Sequence, residues 1–478
     1  MSSETLKALF EPESVAVLGA SASQGKVGYF LFRNILEGGF GGRLYAVNPN
    51  ARRVLGRPSY RSILGLPERP DLAFLAVPNR LVKPALIECA EKKVKAAVIV
   101  AAGFSEIGRD GATVEQELRK IIRAGGLRAV GPNSVGLVNA GHKLVASFVP
   151  FRPWPEGPIA IGAQTGIFAG AYADQMSQQQ SQRTGFSLSL CFGNKIDIDE
   201  TDFLEYAARD TRTRVVALHL ESLHRPREFL AAASRVKREK PLIVLKTGRT
   251  EQGARAAASH TGSLAASDRI VDAAFRQYGL IRAENLEELQ GIAKALAWQP
   301  LPRGRRVAVV TFSGALGVMA LDAMRNTRLE LAQFSACTVR AIARLMPPWQ
   351  PVQNPADVWM ALGGNARKAH QEILGAVLAD PQVDLLLAIL LPIENTDFVG
   401  LDRLFRSLRH VHPAKPVFSV MVGGRVKQRW LQEIEPAHIP NYSEPGAAIR
   451  AMDAMCFYAE TRLRPCPDPC RLRRRSCE

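Results

Sequence analysis

The chain has 478 residues, enough for about three domains at ~150 residues each. A hydrophobic fraction of 47% and a charged fraction of 22% are those of an ordinary globular protein, and no run of ~18 apolar residues predicts a membrane span. The net charge is +17, but the Lys and Arg residues are spread along the chain, and no long basic block is interleaved with aromatic residues. Neither nucleic-acid nor membrane binding is therefore expected. Seven scattered cysteines and an N-terminus without a secretory pattern predict a cytoplasmic protein with free thiols.

Residues 1–150 alternate short apolar runs with segments of helical periodicity, such as the one from Val82 to Lys93. The apolar runs predict strands that are buried on both faces, and their alternation with helices predicts βαβ units. The expected structure is therefore an α/β domain with a parallel sheet between two layers of helices. The predicted strands are Val15–Leu18, Leu44–Val47, Leu72–Val77 and Ala97–Val100.

The rest of the chain contains a weak internal duplication. Ile159–Ile161 leads to Thr165-Gly166, and Val307–Val309 leads to Ser313-Gly314, with the same offset for both matched pairs. Later apolar runs repeat in the same order, so two successive α/β domains are the simplest explanation. The predicted domains are residues 1–150, 156–298 and 303–460, followed by a disordered basic tail at 461–478.

A loop rich in glycine and small hydroxyl residues, Gly19 to Gly28, follows the first predicted strand. Such a loop lets a ligand approach the backbone, and the start of the next helix offers unpaired N–H groups to a phosphate. The spacing is not that of a GxGxxG dinucleotide loop, and Val47-Asn48-Pro49 supplies no acid for a ribose, so an NAD-linked oxidoreductase is disfavoured. Small-residue turns also follow the later strands, where open α/β sheets bind ligands. The predicted ligand-binding residues are Gly19, Ser21, Ser23, Gln24, Gly25, Lys26, Asn48, Pro49, Val77, Pro78, Gly103, Phe104 and Asn133.

Four motifs occur in an order that resembles a known family. They are the loop Gly19–Gly28, Gly131-Pro132-Asn133, Gly193-Asn194-Lys195-Ile196-Asp197 and Ser259-His260-Thr261-Gly262-Ser263. From about residue 8 to 460 the chain is similar to the ADP-forming acyl-CoA synthetases, relatives of succinyl-CoA synthetase. The resemblance implies a Rossmann-like CoA-binding domain followed by two flavodoxin-like (succinyl-CoA ligase-like) parallel-sheet domains. It implies CoA as the ligand of the first domain and no metal site on this chain.

The active histidine of that family lies in a Ser-His-Thr-Gly motif. The resemblance therefore assigns a phosphohistidine to His260, and it assigns the role of its carboxylate partner to Glu221. A neutral imidazole nitrogen can attack an acyl phosphate and hold the phosphoryl group as an N–P bond. A carboxylate on the other ring nitrogen fixes the tautomer and stabilises the developing charge. The segment from Gly248 to Ser267 is rich in small residues, which predicts a loop that can move between two sites.

The two duplicated turns each precede a predicted helix, and a helix N-terminus with small hydroxyl residues suits a phosphate. Simple N-capping by Thr165 and Ser313 is compatible with the same pattern. The first turn of the family reads Ser-Gln-Ser-Gly, whereas this chain has Ala163-Gln164-Thr165-Gly166. The second repeat has no counterpart of His260, so the third domain is interpreted as structural or as a subunit interface. The predicted phosphate-binding residues are Gln164, Thr165, Gly166, Ser313 and Gly314.

The resemblance implies the reaction acid + CoA + ATP ⇌ acyl-CoA + ADP + phosphate, with the phosphoryl group passing through His260. The α/β domains account for nearly all of the chain, and no part of it predicts the ATP-grasp domain of ~200 residues that the family uses. The expected partners are an ATP-grasp beta-type subunit that holds ATP or ADP with Mg²⁺, a small carboxylic acid and CoA, in an oligomer. The alternative is a non-catalytic regulatory protein that binds CoA or acyl-CoA.

Overall fold

The computed structural model describes residues 3–149, 156–166, 184–261, 267–363, 366–392 and 400–465. These residues form two compact units, and the chain passes from the first to the second between Arg282 and Ala283. Within the described ranges, no helix is long and apolar enough to cross a membrane.

The first sheet has the strand order β3-β4-β2-β1-β5-β6-β7. Its strands are β1 (Ser14–Leu18), β2 (Arg43–Val47), β3 (Arg53–Val54), β4 (Arg57–Tyr60), β5 (Leu72–Leu75), β6 (Ala96–Ile99) and β7 (Arg128–Val130). Only the β3–β4 pair is antiparallel. The helices of this region are α1 (Ser3–Phe10), α2 (Val27–Glu37), α3 (Asn79–Glu91) and α4 (Arg109–Gly125). The four predicted strands and the predicted helix are confirmed, with ends that differ by at most three residues.

Both faces of the first sheet are buried, which explains why its strands read as continuous apolar runs. Val15 and Val17 belong to one hydrophobic cluster, whereas Ala16 and Leu18 belong to a second cluster on the other face. Alternate side chains of a strand point to opposite faces, so a strand covered by helices on both sides needs apolar residues at every position.

The second sheet has the order β14-β13-β12-β10-β11-β8-β9. Its strands are β8 (Gly136–Asn139), β9 (Leu144–Ser147), β10 (Glu156–Ala163), β11 (Phe186–Cys191), β12 (Val215–Leu220), β13 (Leu242–Lys246) and β14 (Ile281–Ala283). Its helices are α5 (Glu200–Arg209), α6 (Pro226–Val236), α7 (Glu251–Thr261) and α8 (Asp268–Tyr278). Strands β8 and β9 form an antiparallel hairpin at one edge of this sheet. That hairpin lies among the residues that the sequence assigns to the first domain, yet it extends the second sheet.

The first two sheets belong to one compact unit and share a continuous hydrophobic core. The ring of Phe10, at the end of α1, stacks on Tyr206 of α5 with 4.2 Å between the ring centroids. Such an aromatic pair contributes about 0.5–1.5 kcal/mol beyond the area it buries. The loop after β11 also pairs with the end of β7, because the N–H of Ile196 donates to the carbonyl of Gly131 over 2.8 Å.

The second compact unit contains the third sheet, with the order β16-β15-β18-β19-β20 and β17 paired to β15. Its strands are β15 (Arg306–Thr311), β16 (Glu330–Leu331), β17 (Ala356–Asp357), β18 (Leu385–Leu390), β19 (Val417–Met421) and β20 (Asn441–Tyr442). Its helices are α9 (Leu286–Trp298), α10 (Gly314–Met324), α11 (Ala336–Ala343), α12 (Ala366–Ala379), α13 (Leu401–Val411), α14 (Arg425–Ile434) and α15 (Pro445–Thr461). The order β16-β15-β18-β19-β20 matches β11-β10-β12-β13-β14 strand for strand, so the duplication predicted from the sequence is confirmed.

The prediction of a loop from Gly248 to Ser267 is wrong for most of that segment, because residues 251–261 form helix α7. The small residues that suggested a loop include several alanines, and alanine is the strongest helix former. Glu251 and Arg255 also form an ion pair of 2.6 Å one turn apart, a pairing worth about 0.3–0.5 kcal/mol. Residues 262–266 and residues 466–478 of the predicted tail lie outside the described residues. Thr461, the predicted start of that tail, still belongs to helix α15.

Candidate active site

The predicted ligand-binding residues lie along one edge of the first sheet. The turns that follow β1, β2, β5, β6 and β7 meet there because these strands are parallel. The Asn48 side-chain amide donates to the carbonyl of Ala20 over 2.7 Å, which joins the turns after β2 and β1. The N–H of Asn133 donates to the carbonyl of Ala101 over 2.9 Å, which joins the turns after β7 and β6. The structure thus brings the predicted residues onto one rim.

The loop after β1 is folded tightly at its two ends and exposed between them. Gly19 has a φ of +87°, and a Cβ atom there would lie 2.2 Å from the carbonyl oxygen of Ala76. A Cβ atom at Gly28 would lie 1.9 Å from the carbonyl oxygen of Gly19. Ala22 to Val27 are exposed, and the Lys26 side chain makes no capping bond at the start of α2. Uncapped N–H groups at a helix start beside an open loop are suited to a phosphate group.

Gly103 and Phe104 contribute to this rim differently from the other residues. Their N–H groups donate to the carboxylate of Glu106 over 2.7 and 3.1 Å. The Phe104 ring is buried in the core, with 1% of the residue exposed. The two residues therefore shape the turn after β6, and their N–H groups are already occupied by a carboxylate.

Glu221 follows β12, and Gln164 follows the neighbouring strand β10. The Gln164 side-chain oxygen accepts the N–H groups of Glu221 and Ser222, each over 3.0 Å. Its side-chain nitrogen donates to the Ser222 hydroxyl over 3.2 Å. The side chain of Gln164, predicted to bind phosphate, is therefore directed at the turn that carries Glu221.

Gly166 lies close to the residue that precedes strand β8. A Cβ atom at Gly166 would lie 2.4 Å from the Val135 side chain. Thr165 is half-buried. Residues 167–183, in which a helix is predicted to follow this turn, lie outside the described residues. Phosphate binding by Thr165 and Gly166 stays a prediction.

A buried ion pair that the sequence analysis did not assign lies on the other side of the Glu221 turn. The Lys195 ammonium is 3.1 Å from the Glu200 carboxylate, and both side chains are fully buried. The same ammonium donates to the carbonyl of Ser222 over 2.8 Å. Burial raises the pKa of Glu200, and the charge of Lys195 opposes that rise. The sequence signal for this lysine is the Gly-Asn-Lys-Ile-Asp motif, which by itself gives the lysine no role.

A second buried lysine and a histidine lie near the ends of β12 and β13. Burial lowers the pKa of Lys246, and its neighbours include Lys195 and Glu221. Burial, together with the charges of Lys246 and Lys195, lowers the pKa of His219 to about 3, so this imidazole is neutral at neutral pH. Glu200 balances the charge of Lys195, so Lys246 is the buried ammonium near Glu221 that can attract a phosphoryl group.

The structure describes the backbone of His260 in helix α7, whereas its side chain is not among the described ones. Helix α7 lies against the short 3₁₀ helix Ser105–Ile107, which follows the Gly103 turn of the first sheet. The side-chain amide of Asn194 donates to the Ser105 hydroxyl over 3.1 Å. The helix that carries His260 is thus placed at the rim of the first sheet and in the same compact unit as Glu221. The contact between the His260 and Glu221 side chains stays a prediction.

Ser313 and Gly314, at the start of α10, lie in the other compact unit. A Cβ atom at Gly314 would lie 2.9 Å from a carboxylate oxygen of Asp357. A negative charge already beside the start of a helix disfavours a phosphate in the same place. The predicted phosphate contact at this second turn has less support than the one at Thr165.

Two family models match the chain, the CoA binding domain at residues 13–140 and the succinyl-CoA ligase like flavodoxin domain at residues 156–296. The acetate–CoA ligase [ADP-forming] II subunit alpha of Pyrococcus furiosus is 36% identical over 457 residues, which cover 94% of this chain and 97% of that protein. The chain belongs to the ADP-forming acyl-CoA synthetases. Acetate–CoA ligase [ADP-forming] II of Archaeoglobus fulgidus is 37% identical over 462 residues, which cover 96% of this chain and 68% of that longer relative.

A solved structure of this synthetase family supports the same assignment. The dinucleotide forming acetyl-coenzyme A synthetase 1 of Ca. Korarchaeum cryptofilum, solved in complex with phosphate and ADP, is 34% identical with a TM-score of 0.88. The match covers 96% of this chain and 97% of that one. The resemblance and the fold class predicted from the sequence are therefore confirmed, and the chain is an alpha-type subunit of an acid–thiol ligase. The alternative of a non-catalytic regulatory protein is not favoured.

Replacing Gly28 with Ala is expected to weaken CoA binding by about tenfold or more. The added Cβ atom would lie 1.9 Å from the carbonyl oxygen of Gly19, so the loop after β1 must move. Titration calorimetry with CoA measures the dissociation constant. Gly41→Ala is the matched control, since a Cβ atom there meets nothing within 4 Å. An unchanged dissociation constant for Gly28→Ala would show that CoA does not use this loop.

Proposed function

We propose that this chain carries the phosphoryl group on His260 while an acyl-CoA and an acid are interconverted at the adjoining CoA site. The observation that carries the proposal is the placement of Glu221. It is held at the end of β12, with two buried lysines nearby, in the compact unit that also contains helix α7 and the first-sheet rim. Such a placement supplies a carboxylate for an imidazole, and Lys246 supplies a positive charge for a phosphoryl group.

The reaction proceeds through one acyl transfer and two phosphoryl transfers. In the first, a phosphate oxygen attacks the thioester carbonyl, the C–S bond breaks, and the CoA sulfur takes the proton that the phosphate loses. In the second, a nitrogen of His260 attacks the phosphorus of the acyl phosphate, and the carboxylic acid leaves as its anion. In the third, the terminal oxygen of ADP attacks the phosphorus, so that ATP forms and the imidazole is released.

Glu221 serves the second and third transfers through the ring nitrogen of His260 that does not react. A carboxylate there keeps the reacting nitrogen unprotonated before attack and balances the positive charge of the phosphorylated ring. Lys246 adds positive charge near Glu221, which favours an incoming phosphoryl group, whereas the charge of Lys195 is balanced by Glu200.

ADP and ATP, with Mg²⁺, are proposed to bind to an ATP-grasp beta-type partner subunit. The name of the Pyrococcus furiosus relative, a subunit alpha, supports a partner subunit. The substrate that supplies the acyl group is a small carboxylic acid. The enzyme is an oligomer that contains both subunits. We place it in the cytoplasm because Cys89, Cys191, Cys337 and Cys456 are free thiols, as expected for a reducing compartment.

Incubation of the purified chain with an acyl-CoA panel and radiolabelled phosphate tests the phosphoryl transfer without a partner. The wild type is expected to gain an acid-labile, base-stable label with its own acyl-CoA, and His260→Ala is expected to gain none. His410→Ala, an exposed histidine near the end of α13, is the matched control and should be labelled like the wild type. Equal labelling of His260→Ala, or no label on a chain that binds CoA, would contradict the proposal.

A further inference from the structure

We propose that Gln164 is a positioning residue that fixes the Glu221 carboxylate by clamping the backbone N–H groups of Glu221 and Ser222. This inference rests on the proposed function of Glu221. It gives Gln164 a different role from the phosphate contact that its place in the first turn suggested.

The clamp begins with one oxygen atom that serves two consecutive donors. The Gln164 side-chain oxygen lies 3.0 Å from the nitrogens of both Glu221 and Ser222. Strand β12 ends at Leu220, so these two N–H groups lie beyond its ladder and need partners of their own. Gln164 is 4% exposed, which leaves little room for water to replace its side chain.

The carbonyl group of Ser222 in the same turn is held by a different side chain. The Lys195 ammonium donates to the carbonyl of Ser222 over 2.8 Å, and Glu200 holds that ammonium over 3.1 Å. The Gln164 amide nitrogen adds a bond of 3.2 Å to the Ser222 hydroxyl. The backbone around Glu221 is therefore fixed by side chains that come from two other loops, one after β10 and one after β11.

An amide suits this position better than the other hydrogen-bonding side chains. It accepts two N–H bonds and donates one without bringing a charge, whereas a carboxylate would add a buried negative charge near Glu221. A side chain one carbon shorter could not reach the same two donors from the same backbone. A displacement of about 1 Å at a catalytic group can reduce a rate by about 10²-fold, so the clamp bears directly on phosphoryl transfer.

Gln164→Met removes the acceptor while it keeps the length and volume of the side chain. Two measurements on the full chain are expected to change together. Hydrogen–deuterium exchange should become faster at two amides, those of residues 221 and 222. The rate of His260 labelling from acyl-CoA and radiolabelled phosphate should fall about 10²-fold, with an unchanged dissociation constant for CoA.

Gln299→Met is the matched structural control. Gln299 is a buried glutamine whose side chain also bridges backbone groups, as it accepts from Val417 over 2.9 Å and donates to His438 over 2.6 Å. Its loss should lower the melting temperature and leave the labelling rate unchanged. Gln164→Glu retains an acceptor, so it should restore the protection of both amides and part of the labelling rate. If Gln164→Met does not bind CoA, the same two measurements are made on Gln164→Asn, whose shorter side chain cannot reach the two N–H groups either.

A wild-type labelling rate in Gln164→Met despite faster exchange would overturn the positioning role. Unchanged exchange at residues 221 and 222 would overturn the clamp itself. A wild-type chain that takes no label would instead contradict the proposed function, and the two failures are distinguishable because the exchange measurement does not depend on labelling.

Discussion

Replacing Lys195 with Met is expected to lower the free energy of unfolding by about 3–5 kcal/mol. The reason is the carboxylate left behind, because Glu200 is fully buried and lies 3.1 Å from the Lys195 ammonium. A charge that loses its buried partner keeps its desolvation penalty without compensation. Chemical denaturation followed by circular dichroism measures this loss. Lys83→Met is the matched control, because the Lys83–Glu117 pair of 2.7 Å is about half exposed, and its loss should leave the free energy of unfolding nearly unchanged.

The free energy of unfolding that Lys195→Met loses should also depend on pH in a defined direction. Burial raises the pKa of Glu200 above its unfolded value, and removal of Lys195 raises this pKa further. A group with a raised pKa in the folded state favours folding below its unfolded pKa, and that stability is lost as the pH rises through the folded pKa. The deficit of Lys195→Met is therefore expected to be small near pH 4 and to grow towards neutral pH. A deficit that does not change between these pH values would contradict a charged, unpaired Glu200.

Replacing Glu221 with Gln is expected to slow the phosphorylation of His260 by about 10²–10³-fold. The amide has the size of the carboxylate, yet it has no charge to balance the phosphorylated imidazole. The Gln164 clamp binds only the backbone of residue 221 and should survive this change, so the dissociation constant for CoA is expected to stay the same. The loss should therefore appear in the labelling rate alone.

Glu228→Gln is the matched control for Glu221→Gln. Glu228 is an exposed glutamate seven residues further along the chain, and it pairs at the surface with Arg225 over 2.9 Å. Single-turnover labelling with a saturating acyl-CoA should give the wild-type rate for this variant. A wild-type rate for Glu221→Gln itself would show that the charge of Glu221 has no part in the transfer.

The local features of the fold were predictable because each depends on neighbouring residues. The run Val15–Leu18 predicts a buried strand through its apolar residues, and the structure has it within a strand whose two faces are both covered. The duplication was visible because Thr165-Gly166 and Ser313-Gly314 follow matching strands at a constant offset. Helix α7 was missed, since a lack of large apolar residues was interpreted as a loop although alanine favours a helix.

The roles of individual site residues depend on contacts between distant parts of the chain. Gln164 was placed correctly in a turn, but its bonds to Glu221 and Ser222 join residues more than fifty positions apart. Lys195 bonds to Ser222 across 27 positions, and Asp357, which lies beside Gly314, comes from strand β17. The sequence pattern indicates which strand ends meet at one edge of a sheet. It does not indicate which side chain bonds to which turn.

Mapping the phosphoryl group on the intact chain tests the central claim most directly. The wild type would be incubated with the acyl-CoA that labels it and with phosphate, digested at alkaline pH, and analysed by tandem mass spectrometry. We expect one phosphoryl group, located at His260 and absent when either substrate is omitted. A phosphoryl group at another residue, or none on a chain that binds CoA, would contradict the central claim.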